Sequence, residues 1–95
     1  MINKQLKSRN GKIINGPILI EPRVISDSRG YFYESWNQEK FNLIVKQNII
    51  FSQDNVSYSK KGVLRGLHYQ LRPKPQAKLV RCPIGSIFDV AVDIR

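Results

Sequence analysis

Cysteine is nearly missing from this sequence. Cys82 is the single one, so no internal disulfide can form and a multi-cysteine zinc site is excluded. Histidine occurs once, as His68. Acidic residues are scarce, 7 against 16 lysines and arginines, which leaves a formal charge of +9. Long apolar runs are also lacking. Stretches such as Ile18-Leu19-Ile20 fall far short of the roughly 20 residues a membrane-spanning helix needs, so no membrane association is expected. The first ten residues are polar and basic with no apolar h-region, which argues against a secretory signal and for a cytoplasmic location. No internal repeat and no low-complexity tract is present.

What is there reads as a basic globular chain. Hydrophobic residues make up 41% of it, too many for a disordered segment. Its 95 residues amount to one domain or part of one, with a thin core. The positive balance is either a solvated basic surface or a surface for an anionic partner. Nucleic acid, nucleotides and sugar phosphates all qualify.

Residues 1–16 read as a basic N-terminal arm or a loosely attached first strand, with the domain proper over 17–95. Pro17-Ile18-Leu19-Ile20-Glu21 is a short strand pattern that Val24-Ile25 can continue past Pro22. Asp27-Ser28-Arg29-Gly30 places Asp first and Gly fourth, as a type I turn prefers. The aromatic run Tyr31-Phe32-Tyr33-Glu34-Ser35-Trp36 reads as a strand with Phe32, Glu34 and Trp36 on one face. Ser35 and Gln38 can form a capping box that opens a short helix near residues 38–46, with Phe41, Ile44 and Val45 at helical spacing. Strand patterns then follow at 49–58, 63–70, 77–82 and 86–94. The breakers between them are Ser59-Lys60-Lys61-Gly62, Arg72-Pro73-Lys74-Pro75 and Pro83-Ile84-Gly85. The last pattern is the clearest, with Phe88, Val90, Val92 and Ile94 on one face. Short strands at this spacing predict a mainly β, antiparallel sandwich or barrel. A well-patterned strand that runs directly to Arg95 leads one to expect an interrupted fold with an open edge.

Several side chains admit both a structural and a chemical role. His68 is either a half-buried, hydrogen-bonded histidine or a general base, the side chain whose ordinary pKa lies nearest neutrality. Arg65 and Lys78 are either surface cations or charges placed to stabilise an enolate-like oxygen. Strict alternation puts Arg65 and His68 on opposite faces, and both can face one pocket only if the strand bends, for which Gly66 is suited. Gln53 and Asn55 are either a solvent face or a row of hydrogen-bonding groups for a sugar or base. Arg29, beside Gly30, is either a solvated turn residue or a phosphate contact. Tyr33, Tyr58 and Tyr69 read as packing, and Cys82 as a small apolar filler.

Taken together, five segments resemble the dTDP-4-dehydrorhamnose 3,5-epimerase family, in the family's order and with near-family spacing. They are Asp27-Ser28-Arg29-Gly30-Tyr31-Phe32-Tyr33-Glu34-Ser35, Gln53-Asp54-Asn55-Val56-Ser57, Gly62-Val63-Leu64-Arg65-Gly66-Leu67-His68-Tyr69-Gln70, Lys78-Leu79-Val80-Arg81-Cys82 and Phe88-Asp89-Val90-Ala91-Val92-Asp93-Ile94-Arg95. The resemblance runs from about Pro17 to Arg95. It implies a cupin-like antiparallel β-jelly roll, here incomplete, and a homodimer at full length. It implies the substrate dTDP-4-dehydro-6-deoxyglucose, inverted at C3 and C5 in dTDP-L-rhamnose biosynthesis, with no metal and no organic cofactor.

By matched position the resemblance makes His68 the base. Lys78 and Arg65 become cations near the carbonyl and phosphates, and Gln53 and Asn55 nucleotide and sugar contacts. Arg29, Phe32 and Glu34 become a group that reaches substrate across the dimer interface. The family is roughly twice this long, and its proton-donating tyrosine and the carboxylate that orients the histidine belong to its other half. The expectation is therefore an N-terminal portion that is inactive by itself. Rival expectations are a related dTDP-keto-sugar epimerase or isomerase, a small basic β-domain that binds nucleic acid, and a non-enzymatic remnant. The epimerase reading needs no nucleic acid.

Overall fold

The computed structural model describes residues 2–73 and 76–95. Lys74 and Pro75 of the expected breaker at 72–75, and Met1 of the expected arm, lie outside the described residues. Two compact units are present, residues 1–54 and 55–95.

The first unit begins with a hairpin. Strands β1 (Ile2–Lys7) and β2 (Ile13–Glu21) pair antiparallel, with Lys4 opposite Leu19 and Gln5 opposite Ile18. Part of the 1–16 segment is thus hydrogen-bonded strand, and β2 starts ahead of Pro17. Asn10-Gly11 makes the connection. The Gly11 N–H donates to the Ser8 carbonyl at 3.0 Å and the Ser8 N–H to the Lys12 carbonyl at 2.8 Å. This is a type I turn closed by a residue at φ +82, a conformation that glycine adopts without a Cβ penalty. The pairing register shifts between Gln5 and Lys7, where residues 14–17 of β2 stand opposite Leu6. Pro17 falls in this bulge, where its missing N–H costs the ladder nothing. Further along β2, Ile18 and Ile20 turn inward while Leu19 and Glu21 stay exposed. Lys4 Nζ reaches Glu21 Oε1 at 3.1 Å, a diagonal cross-strand ion pair.

The strand ends at Glu21 and is not continued through Val24-Ile25. After Pro22 a second hairpin forms from β3 (Ile25–Asp27) and β4 (Gly30–Phe32), turning on Ser28 and Arg29 as expected. β4 is shorter than the aromatic run predicts. Its alternation stops at Phe32 because Trp36 packs instead against the helix that follows. That helix, α1 (Gln38–Val45), matches the expected position, but its cap differs. Asn37, in extended conformation, accepts the Lys40 N–H on Oδ1 at 3.0 Å, so Asn37 rather than Ser35 is the N-cap. The helix ends at Lys46, which adopts the left-handed conformation and donates its N–H to the Asn42 carbonyl.

Phe41 on α1 is the buried hydrophobic side chain of the described residues, 7% exposed. Its ring lies 4.9 Å from Trp36 and 5.6 Å from Phe51, and Trp36 and Phe51 meet edge-on at 5.7 Å. Gln38 Nε2 clamps this cluster, donating to the Ile49 carbonyl at 2.7 Å and to Asn42 Oδ1 at 2.9 Å.

The stretch from residue 49 onward departs from expectation. None of the strand patterns over 49–94 forms a strand among the described residues. Turns do appear, one of them closed by the Val63 N–H to the Lys60 carbonyl at 3.2 Å. The reason is the ladder. An extended segment with alternating side chains becomes a strand only where another backbone satisfies its N–H and C=O groups. The apolar face of the last pattern is accordingly open, with Phe88 93% exposed. The regular structure is therefore mainly β with one short helix, realised as two small antiparallel sheets.

Candidate functional site

Arg29, Phe32, Glu34 and Gln53 belong to the first unit, and Asn55, Arg65, His68 and Lys78 to the second. All eight side chains are exposed.

Arg29 sits in the β3–β4 turn, where the Asp27 carboxylate captures it. The guanidinium donates from Nη2 to Oδ2 at 2.6 Å and from Nε to Oδ2 at 3.2 Å, and the Arg29 backbone N–H donates to Oδ1 at 2.8 Å. The guanidinium first, and the backbone N–H second, hold the Asp27 carboxyl below its ordinary range. Phe32 closes β4 directly opposite Ile25. Glu34 lies between β4 and α1. Its Oε1 accepts from Lys40 Nζ at 3.1 Å and its Oε2 from Asn37 Nδ2 at 3.3 Å. Those two donors, Lys40 foremost, keep the Glu34 carboxyl below the usual glutamate range.

In the second unit the turn around Gly62 brings residue 59 beside residue 65. Arg65 Nε donates to Ser59 Oγ and Nη2 to the Tyr58 carbonyl, each at 2.9 Å. Gly66 lies between Arg65 and His68, where the sequence leads one to expect a bend. Gly66 stands at φ +124, outside the range an L side chain accepts, and a Cβ built there would lie 3.8 Å from His68 Nδ1. Among the described residues no hydrogen bond or ion pair joins Arg65, His68 and Lys78. No group of three His, Cys, Asp or Glu side chains among them is placed to hold a metal ion, and no helix is long and apolar enough to cross a membrane. Near Arg95, a second Asp-x-Arg pair repeats the Asp27 arrangement. Arg95 Nη2 lies 2.9 Å from Asp93 Oδ2 and pulls that carboxyl down to about 2.

Sequence reasoning passed over the partners of these residues. Asp27 is legible in retrospect from its spacing to Arg29, and Asn37 from its place before the helical pattern. Ser59 carries no signal of its own; only the Gly62 turn brings it to Arg65.

The family described as dTDP-4-dehydrorhamnose 3,5-epimerase matches residues 12–95. Curated relatives bearing that name agree. The chain is 59% identical over 78 residues to the protein of Shigella flexneri, which covers 82% of this chain and 43% of the relative. It is 55% identical over 82 residues to that of Escherichia coli, covering 86% and 44%. It is 54% identical over 85 residues to that of Methanothermobacter thermautotrophicus, covering 86% and 43%. No solved structure matches. The chain thus spans less than half the length of these relatives. With 84 of its 95 residues inside the match, from Lys12 to Arg95, it belongs to the dTDP-4-dehydrorhamnose 3,5-epimerase family.

Proposed function

We propose that these residues form part of an enzyme that inverts C3 and C5 of dTDP-4-dehydro-6-deoxyglucose, a step toward dTDP-L-rhamnose. The C4 ketone acidifies the neighbouring C–H bonds. A base takes the C3 or C5 proton, the C–H electron pair becomes the enolate double bond, and negative charge moves to the C4 oxygen. Return of a proton to the opposite face restores the ketone with the centre inverted. His68 is the base. Lys78 and Arg65 stabilise the enolate oxygen and the phosphates. Gln53 and Asn55, with Arg29, Phe32 and Glu34 contributed across a homodimer interface, hold nucleotide and sugar. The +9 charge suits a dianionic diphosphate and speeds its capture in the cytoplasm.

The observation that supports this reading best is the family match over residues 12–95, which takes in Arg65, His68 and Lys78; the positive φ of Gly66 is compatible with the bend that Arg65 and His68 need to face one pocket. At the length of the relatives, further chain supplies the ladder partners of the patterns over 49–94, together with the acid and the carboxylate that orients His68. Residues 1–95 alone are on this reading inactive.

The test is product analysis with dTDP-4-dehydro-6-deoxyglucose and the protein purified at its natural length. Inversion at both C3 and C5 supports the reading. Inversion at one centre, or migration of the ketone, replaces it with a related keto-sugar epimerase or isomerase.

A further inference from the structure

The Glu34 carboxylate lies in neither strand nor helix, and a glutamate in such a segment ordinarily samples many rotamers. Here each of its oxygens has its own donor: Lys40 Nζ on Oε1 at 3.1 Å and Asn37 Nδ2 on Oε2 at 3.3 Å. Two donors on two oxygens fix both the position and the plane of the carboxylate. The Asn37 side chain also does a second thing. Its Oδ1 accepts the Lys40 backbone N–H at 3.0 Å and caps α1. Serine, threonine or aspartate caps a helix about as well. The amide differs from aspartate in keeping a donor after capping, and from serine and threonine in carrying that donor on a second atom, Nδ2, set apart from the capping oxygen and directed at Glu34. Lys40 completes the arrangement from the same helical turn. An exposed ion pair adds little to stability, and the helix is capped without it, so support of the helix does not account for the geometry.

We propose that Asn37 and Lys40 are positioning residues that tie the Glu34 carboxylate to the first turn of α1, so that it meets a bound ligand in one orientation. The ligand is the sugar nucleotide of the proposed function, on which this part of the inference rests. Among the described residues Lys40 is the charged side chain hydrogen-bonded to Glu34.

The test is a carbon-detected NMR titration of the Glu34 carboxyl in the natural-length protein, without substrate, and in its Asn37→Ser, Asn37→Asp and Lys40→Met variants. Serine keeps the cap, is uncharged and is too short to reach Glu34. Aspartate keeps the cap but replaces the donor with a like charge. The Glu34 midpoint is expected to rise in all three, least in Asn37→Ser, while the α1 amide shifts of both Asn37 variants stay helical. A midpoint unchanged in every variant, with α1 intact, overturns the proposal. The second readout is kinetic, on the natural-length enzyme. Asn37→Ser is expected to raise KM on the order of tenfold with kcat nearly unchanged, the signature of lost ligand binding. A fall in kcat at constant KM overturns the proposal. The titration involves no substrate, so it decides the anchoring of Glu34 even where the epimerase reading itself fails.

Discussion

The Asp27 carboxylate closes onto the Arg29 guanidinium at 2.6 Å across the two-residue turn between β3 and β4. The turn, the ion pair and a candidate phosphate contact are thus one local unit. Arg29 is aimed by a residue two positions before it, and an incoming anion must compete with that carboxylate.

Asp27 titrates lower in the folded hairpin than in the unfolded chain, because Arg29 favours its ionised form. Its contribution is therefore complete above the ordinary aspartate midpoint of about 4 and is lost as pH falls through the lower folded midpoint. The protection of the β3–β4 hairpin amides, taken relative to the intrinsic exchange rate at each pH, is expected to hold steady from neutrality to about pH 4 and to fall below it. Arg29→Ala returns the Asp27 midpoint to the ordinary range. Asp93 gives the parallel result, titrating at about 2 and rising to the ordinary range in Arg95→Ala.

Phe41 is the keystone of the aromatic cluster. Phe41→Ala removes the buried ring that both Trp36 and Phe51 contact, a loss on the order of 3 kcal/mol at a well-packed site. A unit this small has little more than that to lose. The expected outcome is loss of the α1 circular-dichroism signal together with a red shift of Trp36 emission. Leu43→Ala, on the outer face of the same helix at 73% exposure, is the control, with an effect within about 0.5 kcal/mol.

Gly66→Ala tests the bend. A Cβ at φ +124 meets no steric wall beyond ordinary contact with His68, so the cost comes from backbone strain, about 1–3 kcal/mol. The natural-length enzyme is expected to lose roughly ten- to a hundredfold in kcat/KM as Arg65 and His68 are turned apart. An unchanged kcat/KM removes the bend from the account.

The elements legible in the sequence are those whose cause is local. Helix α1 follows from the spacing of Phe41, Ile44 and Val45, and the β3–β4 turn from Asp27 and Gly30. The first hairpin has an equally local cause that the reading of residues 1–16 as an arm missed, since Asn10-Gly11 between Leu6 and Ile13 is a strong turn signal. What the sequence does not contain is a partner. The alternation of Phe88, Val90, Val92 and Ile94 says which face seeks a core, not which backbone completes the ladder, and no strand forms there. The candidate site divides the same way. Side chains of the right chemistry are readable as motifs. Their supports are readable only when close in sequence, as with Asp27 and Arg29, and not when a turn creates the contact, as with Ser59 and Arg65.

The central claim is that His68 moves protons at the carbons flanking a ketone. The direct measurement is deuterium incorporation from heavy water into dTDP-4-dehydro-6-deoxyglucose, followed by NMR, for the natural-length protein and its His68→Ala variant. The account predicts deuterium at both C3 and C5, slowed by roughly a hundred- to ten-thousandfold in the variant. Exchange at both carbons that proceeds undiminished without His68 would contradict it.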